Sequence, residues 1–208
     1  LIGRMSLLNQ WNPDQLINMG RSWTMILLGG KAQGKSYAMT YLTERFASSF
    51  DLVISFCGSY SCSPELKELM QRRFDVRFMF DKYSVEFLDT LRRQQEILIN
   101  NNNPRRVLLL FDDVEVSSEA QSCLGFFATR HRHFGVSMAY CSVRYSNVHK
   151  SYRASTDALL LFSTPMASDK KLMLQEYAQS PRFASFCMMN LEKHQALVFI
   201  NGFKKMMD

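Results

Sequence analysis

Apolar and polar positions alternate along the chain in short, regularly interrupted blocks. Thr24–Leu28 is an apolar run of β type, and so are Asp51–Cys57, Val76–Phe80, Val107–Phe111, Gly135–Ser142, Ala158–Ser163 and Gln195–Asn201. Several, Val107–Phe111 above all, are apolar on both faces, the pattern of strands covered on both sides. Between them the apolar positions recur at helical spacing. A helix is expected from Lys35 to about Ala47. Another spans Pro64–Arg73, with Leu66, Leu69 and Met70 on one side. A third, over Val85–Ile99, carries Phe87, Leu88, Leu91, Ile97 and Leu98 and stops at the Asn100–Pro104 breaker. Glu119–Arg130 and Asp169–Ala178 complete the set. Alternating strands and helices predict an α/β fold with a mainly parallel central sheet flanked by helices. No repeat, low-complexity tract or linker breaks the pattern. We therefore expect a single domain over residues 1–208, with a leading segment 1–20, a core 22–165 and a C-terminal helix and strand in 166–208.

Composition narrows the class. With 208 residues, 47% hydrophobic and 21% charged, the chain has material for one α/β core, which excludes disordered and fibrous classes. Its longest apolar runs, such as Val107–Phe111 and Ala158–Phe162, fall far short of the about 20 residues a membrane-spanning helix needs, so no membrane partner is expected. The N-terminal region holds no apolar stretch of signal-peptide length, and the first residue is Leu rather than Met, as in a trimmed or partial chain. A net charge of +6 tilts toward polyanionic partners, nucleic acid or nucleotide. Five cysteines, Cys57, Cys62, Cys123, Cys141 and Cys187, form no CxxC pair and read as reduced thiols of a cytosolic protein, Cys141 and Cys187 being buried.

One segment carries chemistry outright. Gly29-Gly30-Lys31-Ala32-Gln33-Gly34-Lys35-Ser36 satisfies the GxxxxGK[ST] phosphate-loop pattern, with a strand before it and a helix after it. Its glycines let the backbone turn until successive N–H groups converge on phosphate oxygens. The following helix adds the partial positive charge of its N-terminus. The expected nucleotide cradle is Gly29, Gly30, Lys31, Ala32, Gln33, Gly34, Lys35, Ser36 and Tyr37. Lys35 is expected to bridge the β- and γ-phosphates and the Ser36 hydroxyl to hold Mg²⁺.

A second segment, Val107-Leu108-Leu109-Leu110-Phe111-Asp112-Asp113, ends an apolar strand in two carboxylates. Asp112 is the expected Mg²⁺ ligand, and Asp113 is placed to polarise an attacking water, unless it is merely a turn acid. Two strand candidates, 51–57 and 76–80, lie in sequence between the phosphate loop and Asp112. That suits ATPases in which an extra strand separates the two motifs. The Asn/Thr-Lys-x-Asp guanine reader of GTPases does not occur, so ATP is the expected nucleotide.

The stretch Ala128–Asp157 is rich in Arg and His, with three of the chain's four histidines. His131, His133 and His149 have no Cys or carboxylate partners at ligand spacing, which argues against metal. The segment reads either as a solvated basic surface or as a positive rim for phosphates of DNA or of a neighbour's nucleotide.

Taken in order, the phosphate loop, the Asp112-Asp113 strand end, the Arg132-His133-x-Gly-Val-Ser segment and the Arg153…Asp157 spacing resemble the genome-packaging ATPases of large DNA viruses, a poxvirus-like branch of the FtsK/HerA motor superfamily. The resemblance covers roughly residues 22–165. It implies an Mg-dependent ATPase that drives sequence-independent translocation of double-stranded DNA into a capsid. It also implies a homo-oligomeric ring, pentamer or hexamer, with ATP between neighbours. The site would be the host cytoplasm, a virus factory, or the capsid or portal vertex of the virion. Arg132 and Arg153 are the candidate arginine fingers, and Lys31, Arg144 and Lys150 candidate phosphate contacts. One departure stands out. Where the family carries a sensor Gln, this chain has Ser142-Val143-Arg144, with Val143 at the equivalent position. Two other readings stay open: a P-loop phosphotransferase with residues 64–100 as a lid, and a nucleotide-binding partner without motor activity.

Overall fold

In the computed structural model, residues 11–200 are described, apart from 19, 59–63, 76–77, 115–116, 164–165 and 179. Seven strands form one sheet: β1 Thr24–Leu28, β2 Leu52–Cys57, β3 Met79–Phe80, β4 Val107–Asp112, β5 Val136–Ser142, β6 Ala158–Phe162 and β7 Ala196–Ile200. The order is β3-β2-β4-β5-β1-β6-β7, parallel throughout except that β7 runs antiparallel to β6. Among the described residues eight α-helices accompany them: α1 Asp14–Asn18, α2 Lys35–Arg45, α3 Pro64–Arg73, α4 Val85–Asn100, α5 Ser118–Arg130, α6 Lys150–Ser155, α7 Ala167–Tyr177 and α8 Pro181–Met189.

The strands are apolar on both faces because both faces are covered. Successive residues of β4 alternate between two hydrophobic clusters. Leu109 and Phe111 join one, Leu108 and Leu110 the other. The first cluster lies under α4–α8 (Leu88, Leu124, Tyr152, Met173, Met188) and the second under α1–α3 (Leu16, Met39, Leu66, Met70). Each Leu fully withdrawn from water in this way contributes about 1.5–3 kcal/mol. α4 and α5 start at serine caps: Ser84 Oγ accepts from Phe87 N–H, and Ser117 Oγ from Ala120 N–H.

Several expectations change here. The third strand is Met79–Phe80 only, because residue 78 is in a helical turn; positions 76–77 lie outside the described residues. The strand that separates β1 from β4 is β5, which follows Asp112 in sequence; the strands of 51–57 and 79–80 lie outside β4, at the far side of the sheet. Two helices escaped the periodicity reading, α6 and α8. α6 is a single short turn-and-a-half, and α8 is nine residues long, Pro181–Met189, where the sequence pattern predicts no element. Cys187 is half-buried on α8 rather than in the core, whereas Cys57 and Cys141 are buried; Cys62 lies outside the described residues.

Candidate functional site

A parallel strand directs its C-terminal end to one edge of the sheet, so β1, β4, β5 and β6 all finish at the same edge. The phosphate loop leaves β1 there. Gly29 N–H donates to Ser142 O (3.3 Å) at the end of β5, and Gly30 N–H to Ser163 O (2.9 Å) just past β6. The loop is thus pinned between its two neighbours. Contact there is so close that a Cβ on Gly29 would lie 2.6 Å from Phe162 Cβ, which only glycine avoids. Ala32 (φ 56°) and Gly34 (φ 99°) enter the left-handed region, the backbone alternation that turns consecutive N–H groups toward one point.

Lys35 and Ser36 open α2. Lys35 is 5% exposed, and its Nζ donates to Gly30 O (3.0 Å), folding the side chain back over its own loop. Ser36 Oγ donates to Asp112 Oδ1 (3.0 Å). The two predicted metal-binding residues, 76 positions apart in sequence, are therefore in direct contact. Both offer hard oxygen donors, the set that Mg²⁺ requires, and the residues present fit that ion. Asp112 is 3% exposed and lies in register with Cys57 on one side and Cys141 on the other.

Asp113 turns away from the strand with φ 47°, a left-handed conformation uncommon outside glycine. Its carbonyl lies 2.5 Å from where a Cβ on Gly58 would stand, so the end of β2 also needs glycine there. Partial burial lifts the Asp113 carboxyl above its ordinary range; the Lys35 ammonium opposes this, the Asp112 carboxylate adds to it, and Lys31 opposes it. A carboxylate withdrawn from water beside a phosphate loop is the environment of a general base.

The arginines part company. Arg132 Nη2 donates to Asp157 Oδ1 (2.6 Å); Arg21 approaches the same oxygen at 3.5 Å, and Thr24 N–H donates to Asp157 Oδ2 (3.0 Å). Thr24 and Asp157 stand at the beginnings of β1 and β6, so Arg132 occupies the sheet edge opposite the phosphate loop. One strand length, on the order of 15 Å, separates the two edges. Arg153 is enclosed: its side chain is 13% exposed, its guanidinium lies 4.7 Å over the Tyr145 ring, and Nη1 is 3.4 Å from Glu176. Arg144, at the loop edge, is held by Asp169, Nε to Oδ2 at 3.2 Å. Lys31 and Lys150 are exposed. Val143 is half-buried with no polar side-chain atom to offer, and the Ser142 hydroxyl is engaged with the Arg144 backbone.

The histidines have local duties. His131 Nδ1–H donates to Val136 O (2.7 Å), and burial pushes the imidazole down, toward its neutral form. His149 caps α6, its Nδ1 accepting from Ser151 N–H. The residue that sequence reading missed is His194. Its Nδ1 lies 3.0 Å from the position of a Cβ on Gly34, directly against the phosphate loop. No motif announces it, because the contact depends on which way β7 runs.

By sequence the chain matches no protein-family model and no curated protein. By structure it is similar to the genome-packaging NTPase B204 of Sulfolobus turreted icosahedral virus 2, solved in complex with AMPPCP, at TM-score 0.60 and 14% identity, over 94% of this chain and 96% of that one. B204 of Sulfolobus turreted icosahedral virus, a DNA-packaging ATPase, gives TM-score 0.61 at 13% identity over 86% and 93%. ATPases 2 and 3 of EssC from Geobacillus thermodenitrificans give 0.63 at 15% identity; this chain covers 38% of that longer protein. The chain thus has the α/β P-loop NTPase fold shared by these ATPases.

Proposed function

We propose that this chain is an ATP-hydrolysing motor that moves double-stranded DNA into a viral capsid. The observation that carries the reading is the contact between Ser36 and Asp112, with Asp113 and Lys35 beside it, at the sheet edge of a fold shared with packaging NTPases. AMPPCP, a non-hydrolysable ATP analogue by its chemistry, was bound to one such neighbour, which supports ATP as the nucleotide here.

In this mechanism the turned backbone of Gly29–Ser36 receives the phosphates. Lys35 leaves the Gly30 carbonyl and bridges the β- and γ-phosphate oxygens, where its charge offsets that developing in the transition state. Ser36 and Asp112 would hold Mg²⁺, which when bound would supply positive charge against the phosphates. Asp113 accepts a proton from the attacking water, in line with the γ-phosphorus. Arg132 could serve as an arginine finger only on a neighbour's nucleotide, since it is a strand length away from its own subunit's loop. A head-to-tail ring supplies such a neighbour at every interface. DNA passing through the ring is gripped at its phosphates, because a motor must ignore sequence. Of the three candidate phosphate contacts, Lys31 and Lys150 are exposed, and Arg144 would first have to leave Asp169. The place of action is the host cytoplasm or virus factory and the capsid or portal vertex.

Residues 64–100 do not favour a phosphotransferase lid. α3 and α4 bury Leu66, Leu69, Met70 and Leu88 against the sheet and form parts of its covering layers. The nucleotide-binding, non-motor reading has one specific support, the apolar Val143 at the sensor position. ATP hydrolysis with and without double-stranded DNA, across a protein concentration series, separates the readings. A motor gives a rate that rises with DNA and more than linearly with protein, and loses at least about 100-fold in Lys35→Ala. A flat rate, or tight ATP binding without turnover, overturns it.

A further inference from the structure

We propose that His194 is a nucleotide-binding residue, donating a hydrogen bond to a phosphate oxygen of ATP from outside the phosphate loop. The inference rests on the nucleotide-binding reading above and extends it to a part of the chain that no sequence motif marks.

The placement follows from the direction of the last strand. β7 is antiparallel to β6, with Ala196 opposite Phe162 and Ile200 opposite Ala158. Its first residue therefore stands at the end of β6, where Ser163 O already accepts from Gly30 N–H. A parallel last strand would have delivered the preceding turn to the opposite edge. As built, the turn between α8 and β7 lies on the phosphate loop, with the His194 ring against Gly34 and Phe162 on the same flank.

The turn is made to hold that ring. Gln195 N–H donates to Glu192 O (3.1 Å), closing a four-residue turn. The Gln195 side chain clamps it further: Oε1 accepts from Glu192 N–H (3.1 Å), and Nε2 donates to Glu192 Oε2 (3.2 Å). His194 is the third residue of the turn and has φ 69°. That position ordinarily goes to Gly or Asn, since a larger side chain there is strained. A bulky imidazole kept in a glycine conformation, on a clamped turn, facing the loop that cradles phosphate, is what a ligand contact requires. The side chain is exposed, so core packing gives it no reason to be there. An imidazole N–H beside Gly34 is within reach of the oxygens that the Gly34–Ser36 backbone gathers.

The test is equilibrium binding of ATP and of ADP to the full chain, wild type against His194→Ala and His194→Gly, with Lys193→Ala as a control in the same turn and Lys35→Ala as a control for the loop. Both His194 variants should bind about 5- to 20-fold more weakly, and Lys193→Ala within about twofold of wild type. His194→Gly separates contact from structure: relief of the left-handed strain should leave its melting temperature equal to wild type or higher while affinity falls. Unchanged affinity in both variants, with Lys35→Ala defective, overturns the role of His194 and leaves the nucleotide reading intact. A wild-type chain that binds neither nucleotide overturns both.

Discussion

Asp113 and Asp112 are adjacent in sequence and differ in everything that matters for chemistry. Asp112 ends β4 in extended backbone, buried, with Ser36 on its oxygen. Asp113 breaks into the left-handed region and carries a carboxyl lifted by partial burial. Asp113→Asn should therefore lower hydrolysis by about 10²- to 10⁴-fold while ATP affinity stays within a few-fold, measured by turnover and by equilibrium binding. The pH dependence has a definite sign. A raised carboxyl takes up its proton earlier as pH falls, so wild-type turnover should decline on an acid limb above the ordinary carboxylate range, and residual turnover of the variant should lack that limb. Stability moves the other way. Because the folded-state pKa lies above the unfolded one, ionised Asp113 costs stability above the folded value, and the cost vanishes below the unfolded one. Asp113→Asn should melt at or above wild type at pH 7, with the difference gone below about pH 4. The places of Lys35, Ser36 and Asp112 at the loop edge were legible in sequence because each belongs to a pattern tied to a strand end. His194 was not, since its place depends on a turn 159 residues beyond Lys35 by numbering.

At the level of elements, strand identity was legible and strand order was not. Apolar runs mark β1, β2 and β4–β7 because burial on both faces leaves no alternation to misread. Sequence places 51–57 and 79–80 between the two motifs, yet space places β5 there, because a crossover connection carries no trace of its destination in composition. α6 was missed for a related reason: six residues give too little periodicity, and its stability comes from the His149 cap and the packing of Tyr152. The opposite sheet edge has its own anchor. Asp157 ties β1 to β6 by accepting from Thr24 N–H and pairs with Arg132. Removing the carboxylate orphans a buried N–H, while the half-exposed arginines can hydrate. Asp157→Ala should lose about 1–3 kcal/mol in urea unfolding with an unchanged m-value. Lying a strand length from the phosphate loop, it should leave ATP affinity within about twofold of wild type. Arg153→Ala belongs with it: a cation stacked on Tyr145 and paired with Glu176 is a packing element, so its loss should appear in the melting temperature before it appears in binding.

For the whole molecule the open question is whether one subunit completes another's site. The fold puts the nucleotide cradle at one sheet edge and Arg132 at the other, so no rotamer of Arg132 brings it to its own loop. Arg153 is enclosed and Arg144 stands at its own loop's edge, which leaves Arg132, half-exposed although paired with Asp157, as the arginine of that group placed away from its own site and open to a neighbour. If it acts there, the two defects Lys35→Ala and Arg132→Ala lie on opposite sides of one interface. Alone, each variant should be inactive, while Arg132→Ala retains ATP binding. Mixed in equal amounts, they form rings in which an Arg132→Ala subunit, whose loop is intact, meets the arginine of a Lys35→Ala neighbour. Random assembly produces that pairing at about a quarter of interfaces in a head-to-tail ring. Hydrolysis should therefore return to a substantial fraction of wild type on mixing. It should also fall again on dilution, as the ring dissociates. If Arg132 acted within its own subunit or not at all, the mixture would show no more than the average of the two variants measured alone, which is the baseline; wild type mixed equally with the double variant Lys35→Ala/Arg132→Ala has competent pairings at about a quarter of its interfaces too and sets the recovery expected. Recovery above that baseline would identify a site shared between copies of this chain, the property a ring-shaped DNA motor needs in order to pass hydrolysis from one subunit to the next.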